Sequence, residues 1–330
     1  MDWPVAIAEG WHPVAELDEL NNARPLACRL LGKPLVLFRG RDGIGILQDR
    51  CPHRGVPLSK GRLSDGGIVC AYHGWRFGED GRCLEVPGAR ECPSVSVRPL
   101  PVRVVAGLVW TTLAQSPPRF PELPDAMNDG RLDRFWWRLA PSKAGLLDAI
   151  ENHLDPAHPH LIHPWLVRAP GRRNPVSVTV RTGPWGAEAI YIEDRHNAAL
   201  LPAVMEGRRA RSIGQLWPPA IGEVRLETES GAMLSIAVVF VPVDKGLTRP
   251  VAHFASTRGR LPAWLKRLAL KAFHLPVLAQ DRRMLRLQEE NRITDEHYAT
   301  GPLDVLSRAI WLHANREECP EETRYLELLL

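Results

Sequence analysis

The chain of 330 residues lacks a long hydrophobic run, a cysteine framework and a dominant charge. Its longest uncharged apolar stretch, 232–243, covers about twelve residues, too few to span a bilayer, and its Val and Ile content reads as a buried strand. Six cysteines are too few and too scattered for a secreted disulfide scaffold. Cys83 and Cys92 are close enough in sequence to pair, but a reduced state is the expectation. Basic residues number 42 and acidic ones 38, interspersed, so a net charge of +4 gives no footprint for nucleic acid. A mildly basic surface does suit an acidic redox partner. The opening MDWPVAIAEGWHPV has neither the basic region, the apolar run nor the cleavage site of a signal peptide, and no repeat or low-complexity tract is found. A cytoplasmic enzyme without membrane or nucleic-acid partners is expected.

The length favours two domains. From 11 to 112, short β-branched runs alternate with Gly, Pro and Asp, as in ACRLLGKPLVLFRGRDGIGILQD, and LVWTTL closes an all-β module. Gln115-Ser116-Pro117-Pro118, followed by Pro121 and Pro124, form a linker, which divides the chain into domains 1–117 and 118–330. The second is α+β, with a helical segment over 145–163, strands near 176–181, 189–193, 223–228 and 233–241, and a long helix from Pro262 to about Asn291.

Against this background stand Cys51-Pro52-His53 and, sixteen residues on, Cys70-Ala71-Tyr72-His73. Each half offers one thiolate and one imidazole. Two groups use such donors: a Rieske [2Fe-2S] cluster, with two cysteines on one iron and two histidines on the other, and a tetrahedral Cys2His2 zinc. Gly55 and Gly74 follow the histidines where a chain wrapping a cluster turns tightly, and Tyr72 and Trp75 are placed to shield it. The full stretch CPHRGVPLSKGRLSDGGIVCAYHGWRFGEDGRC resembles the Rieske non-haem iron oxygenases, the ring-hydroxylating α-subunit family.

A second cluster lies in ENHLDPAHPHLIHPW, with histidines at 153, 158, 160 and 163. A non-haem iron that uses O2 takes two histidines and a carboxylate on one face. His158 and His163 are separated by about 140° on an ideal helix, so they converge only if Pro156, Pro159 and Pro164 distort it. Asp155-Pro156 also reads as an N-cap and first-turn proline. Asp281 is the anomalous acid: Val277, Leu278, Met284 and Leu285 flank it at helical spacing, and an unpaired charge on an apolar stripe is costly. Glu289 and Glu290, within helical reach of Arg286, read as a solvated face.

The family resemblance sharpens these choices. Its D-x-x-H-x-x-x-x-H pattern falls on Asp155, His158 and His163, and its Asp seven residues before a Gln falls on Asp281 and Gln288. It implies Cys51, His53, Cys70 and His73 as cluster ligands and His158, His163 and Asp281 as ligands of a mononuclear Fe(II). Asp155 becomes the electron bridge between subunits, and His153 and His160 are bystanders; Asn152 either lies near substrate or iron, as in related monooxygenases, or makes a helix hydrogen bond to backbone. The implied fold is an all-β Rieske domain, then a helix-grip (START-like) domain with an antiparallel sheet and a long C-terminal helix.

The implied activity is a monooxygenase that hydroxylates or oxidatively demethylates an aromatic, polycyclic or alkaloid-like molecule, as a homotrimer. Electrons would come from NAD(P)H through a reductase carrying flavin and [2Fe-2S], with or without a ferredoxin. The size and the tail DRRMLRLQEEN…GPLDVLSRAIW resemble the branch containing pheophorbide a oxygenase, although the end LELLL is too short for the membrane anchor of plant members. Two readings stand beside this one: a cis-dihydroxylating dioxygenase, and a Rieske electron carrier fused to a non-catalytic ligand-binding module. Arg172, Arg173, Arg208, Arg209 and Arg211 sit in stretches that read as loops, and either steer an anionic partner or are ordinary surface.

Overall fold

The computed structural model describes residues 3–21, 23–164, 166–167, 173–193, 209–293 and 298–330. The chain divides into two compact units, Ala8–Phe120 with Val241–Lys245, and Pro121–Phe240 with Gly246–Leu330 and the first seven residues. No helix among the described residues is long and apolar enough to cross a membrane.

The first unit is built of small antiparallel sheets. Strands Leu26–Leu30, Lys33–Arg39 and Ile44–Gln48 form one, and Arg62–Ser64, Gly67–Val69, Arg76–Phe77 and Cys83–Glu85 form another. Between them lies a core of Val36, Phe38, Leu47, Leu58, Ile68, Phe77 and Val97, into which Cys51 and Cys70 are also buried. Burial of these side chains, each contributing about 1.5–3 kcal/mol, fixes the two cysteine-bearing turns at one edge of the core.

In the second unit, one antiparallel sheet runs in the order Leu132–Arg138, Leu247–Thr257, Met233–Asp244, Ile221–Thr228, Arg209–Trp217, Gly186–Glu193, Pro175–Gly183, Glu322–Leu329, with Ser142–Lys143 added on Leu247–Thr257. Val176, Val178 and Val180 are buried in alternation, as a strand with one covered face requires. Helix Leu146–Leu154 covers the sheet with Leu146, Ala149, Ile150 and Leu154. It lies close because strand Ile221–Thr228 presents Gly222: a Cβ there would stand 3.0 Å from His153 Cδ2 and 3.4 Å from Leu154.

Helix Ala263–Glu290 also packs on this unit, with Leu270 and Lys266 buried near its start. The Lys266 ammonium donates to Asp133 at 2.9 Å and to the Thr257 carbonyl at 2.8 Å, so its burial is paired. The expected fold class, an all-β module followed by an antiparallel sheet with a long C-terminal helix, is the observed one.

Several local expectations change. The helical segment over 145–163 is two helices, Leu146–Leu154 and Pro159–Ile162, because a residue before proline is driven out of the helical region, and Asp155 sits at φ −73°, ψ 122°. Asp155 is therefore the C-cap of the first helix, and the residue capping the second is His158. Arg209 and Arg211 lie in a strand rather than a loop, and Arg211 pairs with Glu227 at 2.6 Å. Arg173 is exposed, while Arg172 and Arg208 lie outside the described residues. Glu289 and Glu290 do form a salt-bridged face, but with Arg292 and Lys143. Met284 is exposed, so the apolar stripe around Asp281 is narrower than its sequence suggests.

Candidate metal centres

In the first unit the two motif turns repeat one another. Cys51 N–H donates to Val56 O and Gly55 N–H to Cys51 O; Cys70 N–H donates to Trp75 O and Gly74 N–H to Cys70 O. Both glycines have positive φ, +74° and +71°, and a Cβ on Gly74 would meet Pro87 at 2.9 Å. The turns bury both thiols and leave both imidazoles exposed, with ring centroids 4.7 Å apart. Burial, together with the neighbouring Cys70 thiol, pushes the Cys51 thiol up.

The arrangement bears on which of the two groups the residues fit. A single tetrahedral ion needs all its donors within one small sphere. Among the described residues no three of Cys51, His53, Cys70 and His73 bring donor atoms within 4.8 Å of one another. Two buried thiolates beside two exposed imidazoles are the donor set that would hold a [2Fe-2S] cluster of the Rieske type. Trp75 stacks under His53, centroids 4.7 Å apart and 9° from parallel, and so supports the ring. Tyr72 is exposed, with its ring centroid 3.8 Å from that of His73.

In the second unit His158, His163 and Asp281 offer donor atoms that all lie within 4.8 Å of one another. The break at Asp155-Pro156 and the short helix after it turn His158 and His163 toward one point. His163 Nε2 is 3.0 Å from Asp281 Oδ1, and His158 Nε2 is 3.6 Å from the same oxygen. Burial disfavours a charged His163, but the contacts to Asp281 and Gln280 outweigh it and raise its pKa. Two imidazoles and one carboxylate are the donor set of non-haem iron, and the residues fit that ion.

Each imidazole is held from behind. His163 Nδ1 donates to Gln280 Oε1 at 2.8 Å, and His158 Nδ1 donates to Asp155 Oδ2 at 3.3 Å. Asp155 also accepts the backbone N–H groups of Ala157 at 2.6 Å and His158 at 3.2 Å, so its carboxylate builds the turn that carries His158. Gln280 is invisible in the sequence, since only the helix rotation that aims Asp281 brings it to His163. Gln288 instead lines a separate hollow with Asp148 and Glu151, where burial and then Asp148 push Glu151 up to about 7. His153 is tied to Ile236 O at 3.3 Å, and burial lowers its pKa to about 4; His160 is outside the converging group.

The three donors open onto a cavity of about 270 Å³ between the sheet and the long helix. Val224, Ile236, Val238 and Phe240 supply much of its apolar wall, and Asn152 lies on its rim one turn before Asp155. The hydroxyl of Tyr191, on strand Gly186–Glu193, is buried beside the cavity without a partner among the described residues. Burial raises its pKa. Tyr191→Phe is therefore expected to be neutral or stabilising by about 1 kcal/mol in a denaturant titration, since it removes an unsatisfied polar group. A loss of stability of that size would mean that the hydroxyl has a partner.

Comparison with known proteins agrees with both halves. Residues 10–101 match the Rieske [2Fe-2S] domain, and residues 143–309 match the vanillate O-demethylase oxygenase C-terminal domain. The 5,5'-dehydrodivanillate O-demethylase oxygenase subunit of Sphingobium sp. is 28% identical over 71% of this chain and 58% of its own. The 3-ketosteroid-9-alpha-monooxygenase oxygenase component of Mycobacterium tuberculosis is 34% identical over 48% of this chain and 44% of its own. The chain thus spans about half the length of the curated relatives it matches. Among solved structures, dicamba monooxygenase bound to dicamba has a TM-score of 0.82 at 18% identity, covering 94% of this chain and 97% of that one. Pseudomonas putida CBB5 NdmA with caffeine has a TM-score of 0.77 at 22% identity, covering 96% and 97%. These two show a shared fold. With a Rieske [2Fe-2S] domain and a vanillate O-demethylase-type C-terminal domain in succession, the chain belongs to the Rieske oxygenase family.

Proposed function

We propose that the chain is the oxygenase component of a two-site monooxygenase, which uses O2 and electrons relayed from NAD(P)H to hydroxylate or oxidatively demethylate an aromatic, polycyclic or alkaloid-like molecule. The observation that carries this reading is the approach of His158, His163 and Asp281 at the polar end of an apolar cavity. When bound, a mononuclear iron supplies O2 activation and a [2Fe-2S] cluster supplies single electrons.

The residues of the chain supply geometry, dryness and electron entry. Cys51, His53, Cys70 and His73 are assigned to the cluster, and His158, His163 and Asp281 to the mononuclear iron. Gln280 and Asp155 fix the two imidazoles with Nε2 toward Asp281. The apolar wall holds the substrate rings and excludes water, and Asn152 is assigned a contact to the substrate. His73, exposed on its turn, is the exit for the electron; Asp155 of a neighbouring chain is the entry, and passes it to His158. That path calls for a head-to-tail homotrimer, a heterologous interface closed by rotation. The electron donor is a reductase with flavin and [2Fe-2S], directly or through a ferredoxin.

Protein purified without oxygen is expected to hold about three irons and two acid-labile sulfides per chain. Supplied with a reductase, NADH and a panel of aromatic, polycyclic and N- or O-methylated compounds under ¹⁸O2, it is expected to place one labelled oxygen in a hydroxylated product or, where it demethylates, in the formaldehyde released. Two labelled oxygens in a cis-diol would instead indicate a dioxygenase, the class in the name of a relative from Comamonas testosteroni, the 3-chlorobenzoate-3,4-dioxygenase oxygenase subunit. Two irons per chain, with function surviving His158→Ala, would leave an electron carrier.

A further inference from the structure

Besides Asp155, His158, His163 and Asp281, the cavity is lined by an aromatic group of Trp137, Phe254, Phe273 and His274, joined by ring contacts. His274 and Asp281 lie on one face of helix Ala263–Glu290, seven residues or two turns apart, which separates them by about 10 Å along the axis.

The hydrogen bonding of His274 decides what it offers. Its Nδ1 is 2.8 Å from the Leu270 carbonyl, and a carbonyl only accepts, so the ring proton is on Nδ1. Nε2 is then a bare lone pair. Burial lowers the pKa of this histidine, which keeps that lone pair available at neutral pH. Phe254 and Phe273 meet the ring edge-on, each with centroids 5.0 Å away, and offer Nε2 no partner. His274 is therefore an acceptor set among aromatic side chains, two turns from the metal donors.

We propose that His274 is a specificity-determining residue: its Nε2 accepts a hydrogen bond from a hydroxyl or N–H group at the far end of a planar aromatic substrate two to three rings long. The carbon to be oxidised then lies at the His158, His163 and Asp281 end. Phe254 and Phe273 flank the rings, and a substrate without the donor leaves the acceptor unsatisfied. This deepens the monooxygenase reading above and rests on it for the identity of the reacting end alone.

The test uses anaerobic holoenzyme and two probes of matched shape, 2-naphthol and 2-methylnaphthalene, with affinities measured by calorimetry. His274→Phe keeps the ring and removes the acceptor. It is expected to weaken 2-naphthol about tenfold and to leave 2-methylnaphthalene within about twofold, the worth of one buried hydrogen bond. His274→Gln, which keeps an acceptor, is expected to retain most of the preference. Equal losses for both probes, no loss for either, a Gln variant as poor as the Phe variant, or no binding of either probe to the wild type would overturn the proposal. The measurement is independent of turnover: a preference that follows His274 in an enzyme that oxidises nothing sinks the monooxygenase reading alone, and turnover without that preference sinks this one alone.

Discussion

Asp281→Ala is expected to remove the mononuclear iron and, with it, turnover, while leaving the cluster absorption unchanged. The three converging donors include a single carboxylate, and both imidazole Nε2 atoms face it. Without it, two neutral imidazoles would have to hold a divalent ion with no negative charge among the protein donors. The fold should survive, since alanine is the best helix former and Asp281 lies inside helix Ala263–Glu290. Iron should fall from about three to about two per chain with acid-labile sulfide constant, which separates the two metals within one sample. Turnover should fall at least about 10⁴-fold, a rise in barrier of more than about 5 kcal/mol. A third iron retained in this variant would remove Asp281 from the donor set.

How much of this was legible in the sequence depends on the distance over which each feature is encoded. The cluster turns are local: thiolate, imidazole and glycine fall within five residues, and their spacing carries the geometry. His158 and His163 are nearly as local, and the prolines around them announce the broken helix that lets them converge. Asp281 was visible as an acid beside apolar neighbours, even though Met284 faces solvent. Gln280 was not, because its role depends on a contact to His163 across 117 residues of chain.

The cavity wall was the least legible part. Strand Arg209–Trp217, which lines the cavity with Ser212, Ile213 and Gly214, opens on charges and shows no clean apolar alternation. Strand Leu247–Thr257 contains Pro250, which argues against a central strand. The pairing explains the exception: Val251–Thr257 pairs with Leu132–Arg138 and Thr248 with Ser142, so Pro250 falls in the gap between two partners, where its carbonyl accepts from Leu139 N–H and no N–H is required of it.

Asp155→Ala is the second large expected effect, and the structure changes how it must be measured. The carboxylate accepts from Ala157 N–H, His158 N–H and His158 Nδ1, so the substitution does more than interrupt an electron path. It loosens the turn that aims His158 and removes the support behind its ring, which typically costs about 10- to 100-fold in metal affinity. Turnover at limiting iron would confound that loss with the loss of a relay. At saturating iron the two separate: a residue that only positions His158 should give back most of its activity once the site is filled. A residue that also admits the electron should leave turnover about a thousandfold down, or about 4 kcal/mol in the barrier, with the cluster still fully reducible. The sharpest readout is a single-turnover experiment on reduced, iron-saturated protein, in which the cluster of the variant should stay reduced after substrate and O2 are added. Rapid reoxidation there, coupled to product, would leave Asp155 a positioning residue and move the entry point elsewhere.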